Sequence, residues 1–286
     1  MPRRADEAPP EPLIDLHTHT DASDGRLTSA DLVRRAWSAG IRVLGVTDHD
    51  TLAGLSSAHH AAEAFGLSLI DGVEVTAVER GRDIHVLGYF VNAADSALDA
   101  FLARQREQRT ARVKEIGARL VGLGAPIDVD RLLSAREARG GAIGRPAIAA
   151  ALIEAGHVSS LREAFDRFLG ESGAAWVPRQ GPTVRQVIDV LHAAGAIASL
   201  AHPVLNRCDE RIREWAAVGL DAIEVFHSEH QPDDVARYRA LADSLGIAMT
   251  GGSDYHGHDH KDHAQLGSVT LPPEALDRLR TLAGRA

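Results

Sequence analysis

The chain has 286 residues with 44% apolar content, which suits one large α/β barrel or a barrel with a modest insertion. A formal net charge of -9 excludes a general attraction to a nucleic-acid backbone, and the single cysteine, Cys208, excludes an internal disulfide framework. No apolar stretch is long enough to span a bilayer, and the charged, proline-rich residues 1–12 lack the apolar segment of a signal peptide; they read as a flexible tail on a cytoplasmic protein.

Leu13 to Leu16 opens the first strand and Asp21 to Gly25 is a loop. Thr28 caps a helix over Ser29 to Ala39, with Asp31 in its first turn and Gly40 ending it. Val43 to Val46 is the second strand, and Leu52 to Phe65 is a helix closed by Gly66. Leu67 to Ile70, Val73 to Thr76 and Ile84 to Phe90 read as further strand, giving the alternation of a parallel sheet. The rhythm then breaks: Ala97 to Leu123 is a long Arg/Glu-rich helical pattern, followed by shorter helices over Val129 to Ala138, Arg145 to Glu154 and Leu161 to Leu169. No strand separates them, so residues 96–178 form a helical insertion between two barrel segments, 13–95 and 179–286. Alternation resumes with a helix over Val184 to Ala194, a strand over Ile197 to Ala201, and a helix over Asp209 to Ala217. A strand over Ala222 to Phe226, a helix over Asp233 to Leu245, a strand over Ile247 to Thr250 and a helix over Glu274 to Leu282 complete it.

Residues able to ligate metals recur at the ends of these apolar runs: His17, His19, Asp24, His49, Glu74, His85, His202, Asp254 and His256. Side chains at i and i+2 of a strand share a face, so His17 and His19 can reach one ion. Asp48 and His49 directly follow an apolar run, where charge is costly unless paired or metal-bound. Glu74 lies between Val73 and Val75, and its two oxygens suit a bridge between cations. Gly251 and Gly252 allow close backbone approach just before Asp254. A parallel barrel gathers strand ends at one face, and a nitrogen-and-oxygen donor set of this size fits several Mn, Zn or Fe ions. His59 and His60 read as surface residues of a helix, and His157 and His192 as structural or exposed. His258, His260 and His263 form a polar run with no assigned chemistry.

Five stretches carry a family resemblance: Asp15-Leu16-His17-Thr18-His19, Thr47-Asp48-His49-Asp50, Gly72-Val73-Glu74-Val75-Thr76, Ala201-His202-Pro203 and Gly252-Ser253-Asp254-Tyr255-His256-Gly257. In this order they resemble the polymerase and histidinol phosphatase (PHP) superfamily. The resemblance implies a distorted seven-stranded (β/α) barrel with a trinuclear centre. It implies one ion at His17, His19, Glu74 and Asp254, a second at Glu74, His85 and His202, and a third at Asp24, His49 and His256, Asp24 standing where some relatives have histidine. Ile143-Gly144-Arg145-Pro146, Ala164-Phe165 through Leu169-Gly170, and Glu224-Val225-Phe226-His227 are most similar to small phosphoesterases acting on nucleoside 3',5'-bisphosphates, AMP and short 5'-phosphorylated oligonucleotides. Ala147 replaces the histidine that often follows the Arg-Pro pair in those relatives, and Arg179 stands where a lysine is common.

The expected chemistry is hydrolysis of a phosphate monoester by a hydroxide bridging cations, most often Mn, without a phospho-enzyme. Asp48 and His227 are candidates for orienting ligands or moving protons. Arg145, Arg179, His227 and His230 are candidates for substrate binding, since guanidinium matches phosphate bidentately. The expected partner is a small phosphorylated molecule, a nucleotide or a short oligonucleotide end, with no long duplex and no membrane. Thin aromatic supply argues against a stacking track for long single strands. The rivals are a phosphatase for another metabolite such as histidinol phosphate, and a metal-binding regulatory protein without catalysis.

Overall fold

The computed structural model describes residues 13–137, 144–257 and 265–284; the N-terminal tail and the His258, His260 and His263 run lie outside them. Seven strands form one sheet in chain order: β1 (Leu13–Asp15), β2 (Ile41–Val46), β3 (Ser68–Glu79), β4 (Arg82–Tyr89), β5 (Ile197–Leu200), β6 (Ala222–His227) and β7 (Ala248–Gly252). Between β1 and β2 lies α1 (Ser29–Ser38), capped by Thr28, whose side chain accepts from the Asp31 amide. Between β2 and β3 lies α2 (Leu55–Phe65), which ends on Gly66 at φ 63°.

The sheet departs from the parallel expectation at its centre. β1, β2 and β3 run parallel, as do β5, β6 and β7, but β3 to β4 and β4 to β5 are antiparallel. The cause is local: β3 returns into β4 through Arg80 and Gly81, both at positive φ (50° and 81°), and so short a connection folds the chain back on itself. The two apolar runs expected on either side of Asp71 and Gly72 are one continuous strand. A Cβ on Gly72 would lie 2.6 Å from Thr47 Cγ2, so the glycine there permits strand packing rather than a break.

The strand ladder does not close between β1 and β7. Beyond the strand ends, however, Leu16 N donates to Gly251 O (3.1 Å) and Asp254 N donates to His17 O (2.9 Å). A Cβ at Gly252 would lie 2.3 Å from His17 N, so only glycine allows this approach. The buried carboxylate of Asp15 adds to the seam by accepting from Ser253 N (2.9 Å) and Gly267 N (3.1 Å). The result is a distorted barrel of the (β/α) type with the first and last strands side by side.

Residues 96–178 contain no strand among those described. They form α3 (Ser96–Gly122), α4 (Val129–Glu137), α5 (Arg145–Glu154) and α6 (Leu161–Ala164), the last running into a π-helical turn, Phe165–Leu169. These helices have an apolar core of their own, including Ile116, Leu120, Ile148, Leu152, Phe168 and Leu169. Burying each of those side chains contributes about 1.5–3 kcal/mol. The remaining helices, α7 (Val184–Ala193), α8 (Pro203–Asn206), α9 (Asp209–Ala217), α10 (Pro232–Leu245) and α11 (Pro273–Ala283), belong to the barrel segment. Among the described residues no helix is long and apolar enough to cross a membrane.

Cys208, at the start of α9, is buried. Burial, with Glu210 and Asp209 nearby, pushes its thiol up to about 12. It is therefore neutral at pH 8, and iodoacetamide is expected to leave the folded protein unmodified while labelling the urea-unfolded chain fully. Rapid labelling of the native protein would contradict this.

Candidate metal centre

Glu74 is the geometric centre of the site. It lies mid-strand in β3 and is 1% exposed, where a carboxylate needs partners. Its Oε2 lies 3.4 Å from His17 Nε2, 3.3 Å from His19 Nε2 and 3.1 Å from His49 Nδ1. Its Oε1 lies 2.8 Å from His85 Nδ1 and 3.0 Å from His202 Nε2. Asp254 Oδ1 joins the first group, 3.3 Å from His17 Nε2 and 3.1 Å from His19 Nε2. Asp24 closes the far side: its Oδ1 is 3.3 Å from His256 Nε2 and its Oδ2 is 3.6 Å from His49 Nε2. The nine residues expected to ligate metal are thus brought together from the loops after β1, β2, β5 and β7 and from the β3–β4 hairpin.

The cluster's hydrogen bonding is incomplete in a telling way. His17 Nε2, both nitrogens of His19, His49 Nδ1, Glu74 Oε2, His85 Nδ1 and His202 Nδ1 are buried without a hydrogen-bond partner among the described residues. Orphaned polar atoms at such density are rare in proteins. The donor atoms also fall into convergent groups: His17, His19, Glu74 and Asp254; His19, Asp24, His49 and His256; and His49, Glu74 and His85, the ligand atoms of each within 4.8 Å of one another. Imidazole and carboxylate donors that converge but lack partners fit divalent cations.

Electrostatics point the same way. Burial opposes charge on His19, yet Asp254 and Glu74 raise it to about 10. Burial pushes His49 down to about 3, despite Glu74 and Asp24. Burial also disfavours ionised Glu74 and Asp254, yet the surrounding imidazoles hold both carboxyls well below their usual range. The site is an anionic nest that demands positive charge.

Supporting residues fix ring orientation. His17 Nδ1 is 2.9 Å from Glu224 Oε1, so His17 donates there and turns the Nε2 lone pair toward Glu74. Glu224 Oε2 also accepts from the His202 amide (2.7 Å). His256 Nδ1 donates to Asp254 O (2.8 Å), which likewise leaves its Nε2 for the cluster. His202 itself has φ 26°, a strained conformation for a non-glycine residue that the surrounding bonds hold in place. The sequence marks Glu224 only as part of the Glu224–His227 stretch and not as a partner of His17; the further signal is an acid at a fully buried position of an apolar strand.

The two candidates for orienting ligands or moving protons, Asp48 and His227, part ways. Asp48 accepts from Thr20 N (2.8 Å), Thr20 Oγ1 (2.7 Å) and Ser23 Oγ (2.6 Å), so both its oxygens are spent holding the loop that carries His19 and Asp24. His227 instead faces the cluster, its Nε2 3.6 Å from Asp254 Oδ2. Its Nδ1 accepts from Glu229 N (3.1 Å), so in the neutral ring the proton sits on Nε2. His230 lies behind His227, ring centroids 5.4 Å apart, with Nδ1 donating to Val225 O (2.8 Å). It does not line the cavity beside the cluster.

That cavity has a volume of about 340 Å³ and extends from Asp24, His49, His85 and His202 to four arginines, Arg109, Arg112, Arg145 and Arg179. Arg145 and Arg179 were expected there; Arg109 and Arg112 were missed. Both sit on α3 along the stripe occupied by Leu98, Leu102, Gln105, Ile116 and Leu120 at helical spacing. Cations at core-facing positions of an apolar stripe were the available signal. Asp50, fully buried at φ 51°, anchors this group. Its Oδ2 accepts from Arg109 Nε (2.9 Å) and Nη2 (2.7 Å) and lies 3.4 Å from Arg179 Nη2. Burial and the neighbouring Arg109 push Arg179 down to about 10, which leaves it cationic at neutral pH.

Known proteins share this architecture. A PHP domain profile matches residues 15–175. The chain is 35% identical over 251 residues to the 5'-3' exoribonuclease Rnm of Escherichia coli, covering 85% of each protein. It is 31% identical over 279 residues to a 3',5'-nucleoside bisphosphate phosphatase of Chromobacterium violaceum, covering 95% of this chain and 97% of the relative. A solved metal-dependent phosphoesterase from Bifidobacterium adolescentis superposes with a TM-score of 0.85 at 32% identity, covering 96% of this chain and 98% of that one. The profile ends before His202, Asp254 and His256, and it is the fold that carries these back to Glu74. The chain belongs to the PHP family and is a metal-dependent phosphoesterase.

Proposed function

We propose that the protein removes a terminal phosphate from a small nucleotide that carries a second phosphate, such as a nucleoside 3',5'-bisphosphate, and that AMP and short 5'-phosphorylated oligonucleotides are further substrates. The observation that carries this reading is one cavity lined both by His49, His85 and His202, each with an orphaned ring nitrogen, and by four guanidiniums. Two relatives, named as acting on nucleoside bisphosphates and as a 5'-3' exoribonuclease, agree with it.

In this reading His17, His19, Glu74 and Asp254 would hold one ion, Glu74, His85 and His202 a second, and Asp24, His49 and His256 a third. Manganese suits the donor set first, with zinc or iron as alternatives. Divalent ions supply charge that neutralises phosphoryl oxygens and lowers the pKa of water. Glu224 keeps His17 in its ligating tautomer, and His227 directs its Nε2–H as a hydrogen-bond donor toward the cluster. Arg112, Arg145 and Arg179 hold the second phosphate, and Arg109, whose Nε and Nη2 are bound to Asp50, adds positive charge beside them. Residues 96–178 act as a cap over a barrel made of 13–95 and 179–286, limiting entry to mononucleotides and chain ends. The lone buried Cys208 fits a reducing compartment, and we read the protein as cytoplasmic.

A substrate panel on manganese-loaded protein tests this. Adenosine 3',5'-bisphosphate is expected to exceed histidinol phosphate in kcat/KM by about 100-fold or more, the scale of a lost charge-assisted phosphate site. Chelation is expected to abolish turnover, and manganese to restore it. A preference for histidinol phosphate would reject the substrate assignment, and turnover by metal-free protein would reject the chemistry.

A further inference from the structure

Two carboxylates meet the four arginines, and they are placed differently. Asp50 is sealed, its Oδ1 accepting from Thr76 N (3.1 Å) and its Oδ2 from Arg109. Asp83 opens β4 and lines the cavity itself. Its Oδ2 is 3.2 Å from Arg145 Nη2 and 3.8 Å from Arg112 Nη1, loose contacts beside the tight ones of Asp50. The Asp83 and Arg145 side chains are 21% and 26% exposed, so the pair can open without breaking the core.

We propose that Asp83 is a specificity-determining residue of the arginine cavity: it is a built-in competitor that occupies Arg112 and Arg145 until a phosphate replaces it, and so limits how tightly anionic substrate and product are held. The inference rests on the proposed second-phosphate role of this cavity. The sign follows from charge alone. With all six groups ionised, four guanidiniums against two carboxylates leave two positive charges, close to the -1.5 to -2 of a phosphate monoester at neutral pH. Removing Asp83 would leave a surplus and favour a trapped product. The same carboxylate repels a doubly charged ligand more than a singly charged one, so it also narrows the cavity's preference for a terminal phosphate over a phosphodiester. That is the balance required of one pocket serving both mononucleotides and oligonucleotide ends.

Calorimetric binding of the bis(methylenephosphonate) analogue of adenosine 3',5'-bisphosphate, which cannot be hydrolysed, tests this on the manganese-loaded enzyme, with the monophosphonate that lacks the second anionic group as the control. Asp83→Asn is expected to tighten bisphosphonate binding about tenfold and leave the monophosphonate unchanged, the scale of one partly screened charge pair. Asp83→Glu should stay within about twofold of the parent, and Arg145→Gln should weaken binding about tenfold. A structural role for Asp83 predicts the opposite sign, because misplaced arginines bind phosphate less well. Equal or weaker binding by Asp83→Asn, at unchanged metal content and thermal stability, would overturn the inference. The readout does not need turnover. Tighter binding with no nucleotide hydrolysis would retire the proposed substrate and leave the Asp83 competition intact. An Asp83→Asn protein with altered melting would be judged on Arg145→Gln, whose unchanged affinity would also overturn the proposal.

Discussion

Glu74→Gln is expected to lower phosphatase kcat on the order of 10³-fold or more and to reduce bound metal below the parent's content. The substitution keeps shape and volume but exchanges one acceptor oxygen for a donating amide. Whichever way the amide turns, it faces imidazole nitrogens: His17, His19 and His49 from one oxygen position, or His85 and His202 from the other. Substitution of Asp24, 29% exposed and proposed as a ligand at the mouth, is expected to cost less. Elemental analysis beside steady-state rates separates the possibilities. Full metal content with a collapsed rate would move Glu74 from ligand to chemistry, and normal values of both would remove it from the centre.

The largest stability effect is expected from Asp50→Asn. Asp50 is fully buried and faces the guanidiniums of Arg109 and Arg179, while its backbone oxygen accepts from Arg106 Nη1 (2.8 Å). Asparagine tolerates the positive φ, so backbone strain is not the issue. The loss is the countercharge of two buried cations, and breaking such a pair costs about 3–5 kcal/mol. Urea unfolding should show a lower midpoint at unchanged slope, the product of the two corresponding to a loss of that size. Since Arg109 comes from α3 and Arg179 from the segment following the insertion, the same variant should loosen residues 96–178 against the barrel. That would be visible as faster amide exchange in α3. A shift below about 1 kcal/mol would show that solvent already screens the group.

Much of the centre was legible because of where charge is expensive. An acid or imidazole among valines and isoleucines has few explanations, so Glu74, His85 and the strand-end motifs stood out, and their order carried the family. The β3–β4 hairpin was harder: Arg80 and Gly81 form a weak turn signal, and Asp71-Gly72 looked like a stronger break than it is. Side chains that serve others were the least visible. Asp48 reads as a residue that orients ligands or moves protons, and its hydrogen bonds to Thr20 and Ser23 favour the first of these. Glu224 was seen as part of a motif and not as the partner of His17, since pairing across about 200 positions leaves no mark in local spacing. Arg109 and Arg112 were hidden in a helix that reads as surface until its apolar stripe is counted.

The junction of β1 with β7 bears on how the protein comes off the ribosome. His17 and His19 are made well before Asp254, His256 and the Gly251 carbonyl that pairs with Leu16. A nascent chain halted after residue 178 would expose an unpaired edge and lack part of the expected ligand set. Synthesis through residues 251–256 is therefore the step at which the first strand gains its neighbour, so products truncated before it should be inert rather than partly active.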